Sequence, residues 1–133
     1  MANLHCVVTS PEALVFEGAA RAVVVPATDG EMGILPRHAA LIGTLSSGEL
    51  RVETEDGQKS RYFVHGGGFV EVLKNKVTVL AKSVEEVGQI DRAEAERALQ
   101  EATSESVETG NWRARQTHQE SVQVAKRRLK LAQ

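Results

Sequence analysis

The chain has 133 residues, 41% of them hydrophobic and 26% charged, with a formal net charge of -2. That size supports one compact domain with an appendage, and the apolar–charged balance excludes wholesale disorder and a globally basic nucleic-acid binder. No apolar run approaches the ~18 residues a membrane helix requires, no basic-then-apolar leader opens the chain, and the single cysteine, Cys6, excludes an intrachain disulfide framework.

In chain order, the first candidate strand, Leu4–Thr9, ends at Ser10-Pro11, and the next, Leu14–Glu17, ends at Gly18. Arg21–Val25 is expected to stop at Pro26, which has no ladder N–H. The segment from Pro26 to Ala40 reads as a loop, followed by Leu41–Leu45 and Glu49–Glu53 around Ser46-Ser47-Gly48. Asp56-Gly57 is a hairpin signal leading into Lys59–His65. Phe69–Leu73 and Lys76–Ala81 turn around Lys74-Asn75. Short, regularly spaced strands of this kind predict a β-sandwich or barrel.

Near Gly88 the composition changes. Residues 1–88 hold fourteen of the seventeen valines, ten of the eleven glycines and all three prolines, whereas residues 89–133 hold seven alanines, one glycine and no proline. The first set suits strands and turns, the second helix interiors. A helix is expected to start at Asp91, with Glu94 three residues on to close a capping box, and to carry Ala95, Ala98, Leu99 and Ala102 on one face. Gly110-Asn111 breaks the pattern, and a second helix from Trp112 aligns Ala114, Val122, Ala125, Leu129 and Ala132. The fold class is therefore a β-sandwich N-terminal domain, residues 1–88, followed by a C-terminal antiparallel α-helical hairpin, residues 89–133: α+β with the two segregated.

Charge divides the two helices. Residues 89–110 carry six acids against two arginines, a net of -4, and residues 112–133 carry six bases against one acid, a net of +5. With a mostly alanine stripe between them, the hairpin is expected to be weakly held, because alanine burial contributes far less than the ~1.5–3 kcal/mol of a large aliphatic side chain.

Recognisable chemistry is sparse. Gly66-Gly67-Gly68 is followed by Phe69-Val70-Glu71-Val72, a strand, where a phosphate loop needs lysine and a helix. The triplet therefore reads as a close backbone approach. His5, His38, His65 and His118 form no ligand pair at helical or finger spacing, and no metal site or catalytic constellation is expected. Cys6 lies in an apolar strand and reads as a small buried hydrophobe. Asp29 and Glu31 flank Gly30 as turn formers rather than an acid–base pair. The stretch Lys126-Arg127-Arg128-Leu129-Lys130 suits nucleic acid or acidic lipid, a solvated helix face favoured by the macrodipole, or an acidic protein surface, and charge alone does not choose among them.

One segment is far more specific. Residues 25–41, Val-Pro-Ala-Thr-Asp-Gly-Glu-Met-Gly-Ile-Leu-Pro-Arg-His-Ala-Ala-Leu, contain a proline, then Gly-Glu-x-Gly-Ile-x-Pro-x-His, then a small residue and leucine. Leu45-Ser46-Ser47-Gly48-Glu49-Leu50, Val64-His65-Gly66-Gly67-Gly68-Phe69-Val70-Glu71-Val72 and Lys76-Val77-Thr78-Val79-Leu80-Ala81 follow in order. Together they resemble the epsilon subunit of F-type ATP synthases, over essentially the whole chain. The same family includes the mitochondrial delta subunit, and the lack of a transit-type leader points to a bacterial or organelle-encoded protein.

The resemblance implies a non-catalytic central-stalk rotor subunit that needs no cofactor and binds no nucleic acid. It implies contacts to the gamma subunit and the ring of c subunits, and to the catalytic beta and alpha subunits when the hairpin extends. The location would be peripheral, through the complex, on the cytoplasmic face of a bacterial plasma membrane or the equivalent organellar coupling membrane. It assigns Glu31 to the ring contact and His38 to the gamma-facing side. The helices would restrain ATP hydrolysis, with Arg113, Arg115, Lys126, Arg127, Arg128 and Lys130 as candidate inhibitory contacts. Some members bind ATP through Ile/Leu-Asp-x-x-Arg-Ala at the first helix. Here Ile90, Asp91 and Ala95 match, but Glu94 stands in the arginine place and puts an acceptor where phosphate needs a donor. The alternative readings are a free-standing β-sandwich adaptor whose basic helical tail recognises acidic protein or lipid, and a small enzyme built around Glu31 and His38.

Overall fold

The computed structural model describes residues 3–105 and 111–132. The chain divides into two compact units between Glu86 and Val87.

Seven strands make up the first unit: β1 (Leu4–Thr9), β2 (Leu14–Ala27), β3 (Gly30–Ile34), β4 (Leu41–Thr44), β5 (Gly48–Thr54), β6 (Lys59–Leu73) and β7 (Lys76–Glu86). Along the sheet the order is β1-β7-β6-β5-β2-β3, with β4 on β6. β1 also pairs with β2, so β1, β7, β6, β5 and β2 close on themselves as a flattened barrel-like sandwich. Closure gives each of those five strands a neighbour on both sides along part of its length, while β3 and β4 each pair with a single strand in the sheet. The β1–β7 pairing is parallel and the remaining ladders are antiparallel.

Alternation fills the interior. Leu4, Cys6 and Val8 of β1, Val23 and Val25 of β2, Leu50 and Val52 of β5, Val70 and Val72 of β6, and Val77 and Val79 of β7 are buried in one cluster. Each side-chain set recurs every second residue, as a one-sided sheet requires.

Several sequence expectations change here. Leu14–Glu17 and Arg21–Val25 are one strand of 14 residues, and Lys59–His65 and Phe69–Leu73 are one of 15. Each long strand bends at a bulge, at Ala20/Ala22 and at His65/Gly68, and so serves different neighbours with its two halves. Gly18 and Gly66–Gly68, expected as strand ends, lie inside strands. Pro26 does not end β2 either. It pairs in register with Glu31 and lies past Val24, the last residue of β2 registered on β5, where a missing N–H costs that ladder nothing. Most relevant to function, Glu31 is not in a loop. Thr28-Asp29 is the two-residue turn of a β2–β3 hairpin, and Glu31 is the second residue of β3.

The second unit opens with a 3-10 turn, Val87–Gln89, and contains α1 (Arg92–Ser104) and α2 (Trp112–Ala132). Asp91 caps α1: its carboxylate accepts hydrogen bonds from the Ala93 and Glu94 amides at 2.9 and 3.3 Å. The reciprocal half of the expected capping box is replaced, because the Glu94 carboxylate turns to Arg128 of α2. Asn111 caps α2 through the Ala114 amide at 3.0 Å. Gly110, expected as the helix breaker, lies outside the described residues. Glu94 meets the late part of α2 and Glu105 meets its early part at His118, so the helices run antiparallel. Ala95 is buried, and no described residue of α2 is.

Candidate functional site

The first candidate region is the β2–β3 hairpin and the segment after it. Glu31 projects from an edge strand with 56% of its side chain exposed, yet its carboxylate is held. Arg51 of β5 donates to both of its oxygens, at 2.9 and 3.3 Å, the forked geometry that guanidinium and carboxylate planes favour. The same Arg51 Nη1 donates to Glu49 at 2.8 Å, and Glu49 takes a further hydrogen bond from Arg61 Nε on β6 at 2.7 Å. Residues 49 and 51 alternate with the buried Leu50 and Val52, so the inward apolar pattern itself places these charges on the outer face. The result is a line of alternating charge, Glu31–Arg51–Glu49–Arg61, tying edge strand β3 to β5 and β6.

Electrostatics follows geometry. Hydrogen bonds to Glu31 and Glu49 push the Arg51 guanidinium still further above its ordinary value. Partial burial pushes the Glu49 carboxyl up, but the hydrogen bonds and positive charges of Arg51 and Arg61 outweigh it and hold the group below its usual range. Each exposed pair contributes only about 0–1 kcal/mol. The network fixes direction more than it adds stability.

Beyond β3 the chain turns at Leu35-Pro36-Arg37-His38, closed by the His38 amide donating to Leu35 O at 3.1 Å. Arg37 sits at φ 71, where glycine or asparagine is usual, and its amide donates to the Asn75 side chain at 2.7 Å. Asn75, in the β6–β7 turn, also accepts from the His5 amide at 2.8 Å and so joins three parts of the unit. Local turn patterns place Asn75 in a hairpin and say nothing of this clamp. His38 Nδ1 lies 2.8 Å from Ala39 O. Glu31 and His38 are engaged separately, the first by Arg51 and the second by the backbone of its own turn. Between β3 and β4 runs a shallow groove lined by Gly30–Met32 and Leu41–Thr44, of which Ile42 is 75% exposed. No described helix is long and apolar enough to cross a membrane.

The second candidate region is the hairpin. Arg113, Arg115, Lys126, Arg127 and Lys130 are exposed, and the Arg113 guanidinium lies over the exposed Trp112 ring at 5.5 Å from its centroid. Arg128 departs from this set. Its side chain is 16% exposed and its Nη2 lies 2.5 Å from Glu94 Oε2. The six bases therefore do not form one uniform solvated face. At the candidate nucleotide positions, Ile90 and Ala95 are buried, Asp91 is committed to the helix cap, and Glu94 to Arg128. The arrangement offers phosphate few free donors.

A family model described as the ATP synthase delta/epsilon chain, beta-sandwich domain, matches residues 3–87. Among curated relatives, the ATP synthase epsilon chain of Alkalilimnicola ehrlichii is 41% identical over 102 residues, 77% of this chain and 72% of the relative. That of Streptomyces avermitilis is 37% identical over 113 residues, 85% of this chain and 90% of the relative. That of Synechococcus sp. is 44% identical over 98 residues, 74% of this chain and 71% of the relative. Two solved structures share the fold. A chain of the Euglena gracilis mitochondrial ATP synthase, in an assembly of OSCP, F1 and c-ring, aligns with a TM-score of 0.82 at 24% identity, covering 95% of this chain and 79% of that one. A chain of the Tetrahymena thermophila mitochondrial ATP synthase central stalk and c-ring aligns with a TM-score of 0.63 at 14% identity, covering 98% and 96%.

Proposed function

Because this chain belongs to the epsilon-subunit family of F-type ATP synthases, we propose that it works as a non-catalytic rotor element of the central stalk, linking the gamma subunit to the ring of c subunits. The observation that carries this reading is the family match across the whole sandwich, with relatives named epsilon chain that extend into the hairpin. In this role Glu31, on the edge hairpin, meets the ring, and His38 belongs to the gamma-facing side. The closed sheet suits the transmission of torque, since a densely packed core yields little to a force applied at its margin. The Arg51 fork delivers a load on β3 to the adjoining strands.

The helical unit supplies the second half of the proposal. Opened from its folded form, the hairpin reaches the catalytic beta and alpha subunits and restrains ATP hydrolysis through Arg113, Arg115, Lys126, Arg127, Arg128 and Lys130. Its thin, alanine-rich interface suits a two-state element, whose forms need differ by only a few kcal/mol. The protein then lies peripherally, through the complex, at the cytoplasmic face of a bacterial plasma membrane or the equivalent organellar membrane.

The test is made in the assembled enzyme. A cysteine at position 31 is expected to cross-link to a c subunit and one at position 38 to gamma. Removal of residues 89–133 is expected to leave assembly intact and raise ATP hydrolysis. Absence of both cross-links in a coupled complex refutes the rotor placement, and unchanged hydrolysis in the truncated enzyme refutes the inhibitory role.

A further inference from the structure

The hairpin buries little apolar surface: among the described residues of α1 and α2, Ala95 alone is buried. Against that background the Glu94–Arg128 pair is unusual. It joins the first turn of α1 to the late part of α2, at the end of the hairpin away from the chain reversal, where a contact has the greatest leverage against splaying. Arg128 is the candidate base withdrawn from water, at 16% exposure, so loss of the Glu94 carboxylate removes a charge partner that water does not readily replace. Both charges also sit where their helices favour them, the acid near an N-terminus and the base near a C-terminus. Contact geometry, burial and helix electrostatics therefore converge on one pair.

We propose that Glu94–Arg128 is the latch of the hairpin, and that Arg128 changes carboxylates when the hairpin opens, leaving Glu94 for an acidic protein surface. The functional half of this rests on the inhibitory reading above; the latch itself does not. In the folded hairpin Glu94 masks one of the cations an acidic partner would bind, so the closed state holds itself shut and covers part of its own docking charge. Glu94 acts as an internal anion occupying Arg128, and closure requires no bound small-molecule anion.

Amide hydrogen exchange on the full chain tests the latch directly. Glu94→Gln and Arg128→Gln are each expected to speed exchange in α1 and α2 by about five- to tenfold, as loss of one partner from a half-buried pair raises local opening. Amides of the buried core strands, Val70 and Val79 among them, should exchange as in the wild type. The swapped variant Glu94→Arg/Arg128→Glu should recover part of the protection, incompletely because both charges then oppose the helix dipoles. A general structural lesion at either position would not be repaired by the swap. Single variants within twofold of wild type, or a swap no better protected than the singles, overturn the latch. A second measurement separates the latch from the function it serves. In the assembled enzyme Glu94→Gln should lower ATP hydrolysis severalfold, because it removes the carboxylate that holds Arg128 in the closed hairpin, whereas Arg128→Gln, which opens the hairpin but removes the cation, should lower it less. Accelerated exchange with unchanged hydrolysis in Glu94→Gln keeps the latch and overturns the exchange of partners.

Discussion

The sharpest stability test lies at the glycine triplet in β6. A Cβ built on Gly68, at φ +145, would stand 2.1 Å from Leu80 O and 2.8 Å from Ala81 Cα, both backbone atoms of the neighbouring β7. Neither can move without breaking the ladder that pairs Gly68 with Ala81. Gly67, at φ +91, has nothing within 4 Å, and Gly66, at φ +88, would meet the Lys82 side chain at 3.0–3.3 Å. Backbone strain costs about 1–3 kcal/mol at each position. Only Gly68 adds an overpacking cost of about 1–3 kcal/mol against atoms that cannot relax. Gly68→Ala is therefore expected to lose about 2–6 kcal/mol and Gly67→Ala about 1–3, with Gly66→Ala between them because Lys82 can swing aside. For a unit of this size about 1 kcal/mol moves the melting point by roughly 4–8 °C, so Gly68→Ala should melt at least about 8 °C low. Near-UV circular dichroism of Tyr62, the sole tyrosine and buried in the sandwich, follows the transition. A Gly68→Ala protein melting within about 3 °C of wild type, or lying above Gly67→Ala in stability, would refute the close-approach argument.

Three further outcomes follow from the charge and burial pattern. The Glu49 carboxyl is held below its ordinary value of 4.5, so its share of stability is present above that value and lost as pH falls through the lower folded value. Glu49→Gln should flatten the acid limb of the melting curve below about pH 4.5, and an unaltered limb would contradict this. Burial pushes the Cys6 thiol up to about 12, so Ellman's reagent at about pH 8 should label it only as the sandwich unfolds, and rapid labelling of the native chain would contradict its burial. Calorimetric titration should show no tight ATP site on the wild-type chain up to the order of 1 mM, since Glu94 presents a carboxylate where phosphate needs a donor. Stoichiometric tight binding would show that neighbouring arginines supply the site regardless of Glu94.

What could be read along the chain was local. Asp56-Gly57 and Lys74-Asn75 do turn the chain between strands, Asp91 does cap α1, and the shift from valine and glycine to alanine falls at the change from strands to helices. Each of these signals is carried by residues a few positions apart, so the covalent sequence holds all of its partners. The family motif lies in the same category, since residues 25–41 can be recognised before any fold is known.

The tertiary structure decided where those elements go and which charges meet. Gly18, Pro26 and Gly66–Gly68 punctuate the sequence as breaks, yet each sits inside a strand: Gly18 pairs in regular register with Cys6, Pro26 lies past the end of the β2–β5 ladder, and a bulge takes up Gly66 and Gly67. Glu31 belongs to a strand because the Thr28-Asp29 turn folds it back on β2, and it is aimed by Arg51, a residue on another strand. Glu94 has a ready local partner in the capping box, but the approach of α2 offers it a guanidinium that little water competes for. A charged side chain settles on the strongest partner within reach, and reach is fixed by sheet closure and helix pairing rather than by distance along the chain.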